Sequence, residues 1–387
     1  MSAGAGGSER SGPLYVLQLH GTFGSGDKEA RVIRLMNHWG SRVSHDILVG
    51  DRTVDGTRMD AEPGLSVRFL DEPVLRGRPT SSKLLALGRL MQHYDLILSF
   101  GWGAINGAMA HRLLRRVEQL PPLIHHEDGF AADEAIARNS TRNLYRRIAL
   151  AGVHALVVPS NRLAHIAQQE WHLKAERVHQ IPNGIDVAAY AAGPSRPAIP
   201  GLAADGRLIV GTIVEGRRVA GLRALVQAVA SLQDQLRLVV VDREGAGNET
   251  IRTEIASLGM DDVVIIGPSL HPQAYMRAFD VFAFASEAGK FPVALVEAMA
   301  AGCPVVAADL GDVSAMVAPG NRRFVVPFDD PARVRAALET LVVDPDLRAQ
   351  LGELNRARAR QCFDESVMFQ LYDRLYGAAV GDTLALV

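Results

Sequence analysis

A single carboxylate, Glu297, sits in the otherwise apolar run VALVEAMAA at 293–301. The loop EAGK, Phe291 and Pro292 precede the run, and Gly302 closes it. Pro292 suits a first helical position and Gly302 a C-terminal cap, so the spacing predicts a short helix between the strands DVFAFAS (280–286) and PVVAADL (304–310). A helix that is apolar on nearly every face is buried, and a carboxylate inside it needs a partner or a ligand. Its unpaired N-terminal N–H groups and its dipole favour a phosphate. Glu297 lies roughly one and a half turns in, where it can accept a hydrogen bond from a hydroxyl beside that phosphate. The loop and helix therefore suit a sugar nucleotide.

The elements that would position this site repeat along the chain. LYVLQL (14–19), DLILSF (95–100), PPLIHH (121–126) and ALVVPS (155–160) are short apolar runs, each followed by a helical stretch. The Pro, Gly and Ala-rich segment 183–206 interrupts the pattern and reads as a linker, with Asn183 and Gly184 as turn residues. The alternation then resumes with RLIVGTIV (207–214), LRLVVVD (236–242), DVVIIG (262–267), DVFAFAS and PVVAADL. Two doubly wound α/β domains with parallel sheets, facing across a cleft, are expected. Ligands of such sheets bind beyond the carboxyl ends of the strands, so the loops after these runs, that with His125, His126, Glu127 and Asp128 after PPLI among them, are where a site is expected. The bland alternative is a set of polar loop residues bonded to one another.

Composition bounds the function. The 387 residues, 48% hydrophobic and 22% charged, suffice for two cores. A formal net charge of −2 gives no reason to expect a nucleic-acid partner. No apolar run is long enough to span a bilayer and the N-terminus is small and polar, so a cytoplasmic protein is expected. Cys303 and Cys362 are far apart, without Cys or His at ligand spacing, and read as structural; no metal site is expected. Residues 1–190 carry 22 Lys and Arg against 19 Asp and Glu, with 11 of the 12 histidines. This half would become basic in mild acid if those histidines titrate freely. The Arg-rich stretches at 111–119 and 138–149 suggest that it faces an anionic acceptor or, peripherally, the inner face of a membrane; solvated helix faces are the alternative.

VVPSNRLAHIAQQEWHLKAERVHQIPNGIDVAAY (157–190) resembles the interdomain segment of the GT-B glycosyltransferases of retaining family 4. FAFASEAGKFPVALVEAMAAGCPVVAADLGDVSAMV (282–317) is similar to their donor-binding segment, and the resemblance covers nearly the whole chain. GTFGSGDKEARVIRLMN (21–37), with Gly24 and Gly26, resembles their N-terminal glycine-rich loop, although plain turn glycines would look alike. The expected organisation is a flexible terminus (1–12), an acceptor-side domain (13–185), a linker (186–206), a donor-binding domain (207–365) and a C-terminal helix (366–387) packing back on the first domain.

The resemblance implies transfer of a sugar from a nucleoside diphosphate sugar to an acceptor hydroxyl of a glycan, lipid or small molecule, without cofactor or obligatory metal. Glu297 would bind the donor ribose, and Gly289, Lys290, Phe291 and Pro292 would line the sugar and diphosphate. His126, or Asp128 in a shifted register, would contact the donor sugar from the first domain. The chain also departs from the family. Its usual first glutamate, eight residues before Glu297, is Gly289 here, with Glu287 two residues out of register. Glu215 and Ala220 replace the arginine and lysine that clamp the diphosphate, leaving Arg217 and Arg218 between them. Three readings follow: an active transferase clamped by Arg217 or Arg218, a catalytically degenerate GT-B protein that binds a ligand or a partner transferase, and a GT-B epimerase.

Overall fold

The structure, a computed structural model, describes all residues except 1–11, 25, 52–61, 63, 131–133, 135–137, 193–198, 200–201, 203–204, 215–219, 244–247, 261, 268–272, 274, 286–290, 383–385 and 387. The chain forms two compact units, Met1–Asn183 with Met368–Val387, and Gly184–Val367. The terminus at 1–12 lies, but for Gly12, outside the described residues.

The first unit is built on seven parallel strands: β1 (Leu14–His20), β2 (Val43–Val49), β3 (Ser66–Leu70), β4 (Leu96–Phe100), β5 (Leu123–His126), β6 (Ala155–Val158) and β7 (Val178–Gln180). Their order is β3-β2-β1-β4-β5-β6-β7. Successive side chains alternate between two cores. Leu14 and Val16 enter one with Leu96, Leu98 and Ile124, while Leu17 and Leu19 enter the other with Ile97, Leu123 and Leu156. Both faces are thus covered, as near-continuous apolar strands require. The helix Glu365–Val380 sends Met368, Tyr372 and Tyr376 into the first of these cores. Asp373 on it accepts a hydrogen bond from Trp39 Nε1 at 2.7 Å and lies 3.0 Å from His38 Nε2.

The second unit carries β8 (Leu208–Val214), β9 (Leu236–Asp242), β10 (Val263–Ile266), β11 (Val281–Phe284), β12 (Val305–Ala308) and β13 (Val325–Val326), all parallel, in the order β10-β9-β8-β11-β12-β13. The segment read as a linker instead begins as part of this unit. Ile185 N–H donates to Phe363 O at 2.9 Å and Glu365 N–H to Ile185 O at 2.9 Å. Asp186 then caps the helix Val187–Ala191, whose Tyr190 is buried. The apolar faces of Val187 and Tyr190 compensate for the ordering of a segment whose composition looked like a hinge.

A buried amide pair ties the last strands together. Asn321 exchanges hydrogen bonds with the backbone of Val305, donating to O at 2.7 Å and accepting from N at 3.0 Å. Asn355 donates to Asn321 Oδ1 and to Cys303 O, both at 2.9 Å, and accepts from Ala318 N. Asn321→Ala would strand the donor and acceptor of Val305 in the core. Urea unfolding should show a loss of about 2–4 kcal/mol, well above that of an exposed substitution.

Candidate functional site

Each sheet reverses its winding once, between β1 and β4 and between β8 and β11, and loops diverge beyond the strand ends at those points. In the first unit the loops leaving β1 and β4 touch. A Cβ on Gly21 would stand 2.7 Å from Gly103 Cα, and one on Gly103 would stand 2.4 Å from Gly21 Cα, so neither position accepts a side chain. Beyond them, at the end of β5, lies an ion-pair lock. Arg31, 2% exposed, donates to Asp128 Oδ1 at 2.5 Å and Oδ2 at 3.0 Å, and to Asn183 Oδ1 at 2.5 Å. Burial opposes charge on both partners, but the attraction outweighs it: Arg31 is raised and Asp128 is lowered from its ordinary value. Asp128, with 24% of its side chain exposed, is the member that can meet a ligand.

Its neighbours are turned inward. Glu127 is buried 3.5 Å from Arg146 Nε, and burial pushes its carboxyl up to about 7 against the pull of Arg146. Arg146 also pairs with Glu134 through both terminal nitrogens, at 3.1 and 3.0 Å, and lies over the Trp102 ring at 4.9 Å. His126 stacks on Phe100, its Nε2 is 2.6 Å from Tyr376 Oη, and its Nδ1 is 3.3 Å from Ser99 O. His126 is thus 1% exposed with both nitrogens engaged within this unit, whereas the sequence expectation has it reach a donor sugar. His125 Nδ1 lies 2.8 Å from Ser99 Oγ.

For four of the eleven histidines of residues 1–190, the expected charge in mild acid does not develop. Burial holds His125 and His126 at about 3 and His45 at about 4, and keeps His20 well below its ordinary value. These imidazoles remain neutral packing groups where free histidine is already charged.

In the second unit Glu297 lies at the middle of the helix Val293–Ala301, every residue of which after Val293 is buried. Its Oε1 accepts from Tyr190 Oη at 2.8 Å and its Oε2 from Arg243 Nη2. Arg243 immediately follows β9, and 23% of its side chain is exposed. Burial and the Glu297 charge raise Tyr190, so it stays a hydroxyl donor, while burial pushes Tyr275 up to about 12. Gly221 completes the junction of β8 and β11, since a Cβ there would fall 1.8 Å from Ala285 O. The site is therefore a buried acceptor, a partly exposed cation and the start of a buried helix, at the carboxyl end of a parallel sheet.

Pro292 is the N-cap rather than the first helical residue and has no N–H to give a diphosphate. Phe291 is 9% exposed and packs edge-on against Phe363 at 6.0 Å, a core role. Gly302 caps the helix at φ 82°. Gly24 faces open space, and Gly26 caps the helix Asp27–Trp39, where a Cβ would meet Glu29 Oε2 at 2.8 Å. Arg217, Arg218, Glu215, Glu287, Gly289 and Lys290 lie outside the described residues. Arg31, Tyr190 and Arg243 were not foreseen, and Asn183 was read as a turn residue. Arg243 alone had a local signal, a cation directly after a strand and before a glycine turn.

Comparison with known proteins matches these two units. The description Glycosyltransferase Family 4 fits residues 29–189, and Glycosyl transferases group 1 fits residues 200–358. The fold is GT-B, two Rossmann-like parallel-sheet units, and the chain belongs to the family 4 glycosyltransferases. It is 28% identical over 283 residues to D-inositol 3-phosphate glycosyltransferase of Acidothermus cellulolyticus, covering 67% of this chain and 61% of that one. It is 30% identical over 239 residues to phosphatidyl-myo-inositol mannosyltransferase of Mycolicibacterium smegmatis, covering 59% and 60%. The chain thus spans about three fifths of the length of these two relatives. Anabaena HepE, crystallised with UDP and glucose, superposes with a TM-score of 0.76 at 20% identity, over 94% of this chain and 100% of that one, and shares the fold.

Two outcomes follow for the first unit. Asp128→Ala should cost about 3–5 kcal/mol in urea unfolding by leaving Arg31 buried without a counter-ion, and Arg31→Met with Asp128→Leu should recover most of it. The pH dependence follows from the lowered histidines, whose stabilisation is present above the unfolded value of 6.5 and is lost as pH falls toward 4. Glu127 acts oppositely, since its raised value favours the folded state as pH falls from about 7. With these histidines lowered against one carboxyl raised, the unfolded chain takes up more protons than the folded one between about pH 6 and 5, so stability falls over that interval. Urea midpoints measured across that range should fall with pH.

Proposed function

We propose that the protein transfers a sugar from a nucleoside diphosphate sugar to an acceptor hydroxyl, with retained configuration and no obligatory metal ion. The observation that carries this reading is the Glu297 carboxylate, buried in an apolar helix at the carboxyl end of the second sheet and flanked by Arg243. Each carboxylate oxygen has two acceptor positions, and Tyr190 and Arg243 use one on each, so ribose hydroxyls can take the others. Arg243 adds a cation near the place where the leaving diphosphate gains charge, with Arg217 or Arg218 from the loop after β8 as further candidates. The transition state would be oxocarbenium-like, so help to the leaving group matters more than a strong base.

On the acceptor side, Asp128 orients a hydroxyl as a hydrogen-bond acceptor. Its pairing with Arg31 lowers its proton affinity and makes it a weak base. HepE, crystallised with UDP and with UDP-glucose, makes uridine donors the first to test, and the inositol phosphate relatives make a phosphorylated polyol the first acceptor class. Among the described residues no helix is long and apolar enough to cross a membrane, and the reading places the reaction in the cytoplasm, with contact to the membrane surface when the acceptor is a lipid.

A second reading is favoured by the same geometry: Tyr190 and Arg243 already balance Glu297 without a ligand, as in a GT-B protein that has lost transfer and serves a partner transferase. Calorimetric titration with UDP, GDP and ADP decides between them. Under the transferase reading one nucleotide binds, Glu297→Ala weakens it about 10–100-fold, and a chelator changes nothing. Absence of binding to all three by the folded protein would favour the partner reading, and unchanged affinity in Glu297→Ala would remove the ribose role.

A further inference from the structure

The amino ends of β5, β6 and β7, at the other end of the sheet from Asp128, surround a pocket of about 570 Å³. Arg115, Arg116, Arg177, His111 and His154 line it. Arg112 is adjacent, since a Cβ on Gly152, a lining residue, would stand 2.5 Å from its Cδ. Two of the cations are aimed by backbone carbonyls: Arg115 Nη1 donates to Gly152 O at 3.0 Å and Arg177 Nη1 to Val153 O at 3.3 Å. These contacts fix position without supplying negative charge.

The acids nearest in sequence are engaged elsewhere. Glu118 accepts from Gln92, and Glu176 pairs with Lys174 at 3.6 Å. Among the described residues Arg112, Arg115, Arg116 and Arg177 have no ion-pair partner, and Arg115 Nε and His111 Nδ1 are buried without a hydrogen-bond partner. Burial and then the charges of Arg112, Arg116 and Arg177 lower Arg115, the mark of cations crowded without a counter-ion. The contrast with the helix Ser140–Leu150 is sharp, because Arg142 and Arg146 there are held by Glu134 and Arg138, just before it, by Glu170. Among the described residues, three of the four arginines at 138–149 are thus paired with acids, against none of the three at 111–119.

We infer that this pocket is a binding site for a phosphate group, carried by a small molecule or by a lipid headgroup. Forked guanidinium groups suit the oxygens of a phosphate, and a dianion would relieve the mutual repulsion of the arginines. Leu113 and Val117, 58% and 79% exposed on the same stretch as Arg112 and Arg116, are the reason to include a membrane source.

The test compares the full chain with Arg116→Gln/Arg177→Gln, titrated with inorganic phosphate by calorimetry and sedimented with phosphatidylcholine vesicles with and without phosphatidic acid. Saturable phosphate binding, weakened about tenfold or more in the double variant, supports a soluble phosphate ligand. Sedimentation that needs phosphatidic acid and is lost in the variant supports a headgroup. Failure of the wild-type protein to bind either, or equal binding by both proteins, overturns the inference. If the double variant melts early, the exposed single variant Arg116→Gln serves instead, with about a threefold loss expected. The donor-site reading is untouched by any of these results, because UDP binding is measured separately.

Discussion

The central strands of both parallel sheets are covered on each face, and that constraint decides where charge can go there; beside the exposed edge strand β3, by contrast, the Asp46–Arg68 ion pair sits mid-strand. A strand whose two faces are dry has no position for an ionisable side chain except at its ends. Asp128, Glu297, Arg243 and the arginines of the basic pocket all sit at or just beyond strand ends or on the helices that leave them. At the carboxyl ends the buried charges are matched: Arg31 by Asp128, Arg146 by Glu134 and Glu127, and Glu297 by Arg243 and Tyr190. The carboxyl ends gather the acceptors and cations that suit a sugar nucleotide and an acceptor hydroxyl, whereas one group of amino ends gathers cations alone.

The two strand-end clusters in question differ in how they use their carboxylate. Asp128 is bonded through both oxygens to a cation more deeply buried than itself, so its free edge is a fixed acceptor of low basicity. Glu297 is the buried partner and Arg243 the exposed one. A ligand meeting the first cluster encounters negative charge, and one meeting the second encounters positive charge backed by an acceptor. The second order is the one a ribose joined to a diphosphate requires.

Strands with an apolar run and a turn residue at each end were legible in the sequence, as were the helix around Glu297 and its glycine cap. Period and composition act over a few residues, and these features need nothing more. What stayed illegible depends on distant partners. His126 reads as a strand-end histidine until Tyr376, 250 residues later, covers its Nε2. Glu297 reads as a carboxylate awaiting a ligand until Arg243 and Tyr190, 54 and 107 residues away, bond it. Tyr190 itself was hidden in a segment whose Pro and Gly content suggested a linker, because composition cannot show that a short helix finds a core. Strands β2, β3 and β7 were passed over since their mixed or short sequences lack an apolar run.

The core of the first unit has a consequence for how the protein is made. Met368, Tyr372 and Tyr376 fill space between Trp39, Phe100 and His126, yet the ribosome delivers them only after the whole second unit has been synthesised. Until then the Trp39 indole and the His126 ring face an unfilled groove of apolar side chains on a nascent chain. Gly184–Val367, in contrast, is continuous and has all its parts as soon as it leaves the tunnel. Vectorial synthesis therefore favours an order in which the later unit matures first and the earlier one is sealed last, leaving the earlier one the more dependent on chaperones during translation.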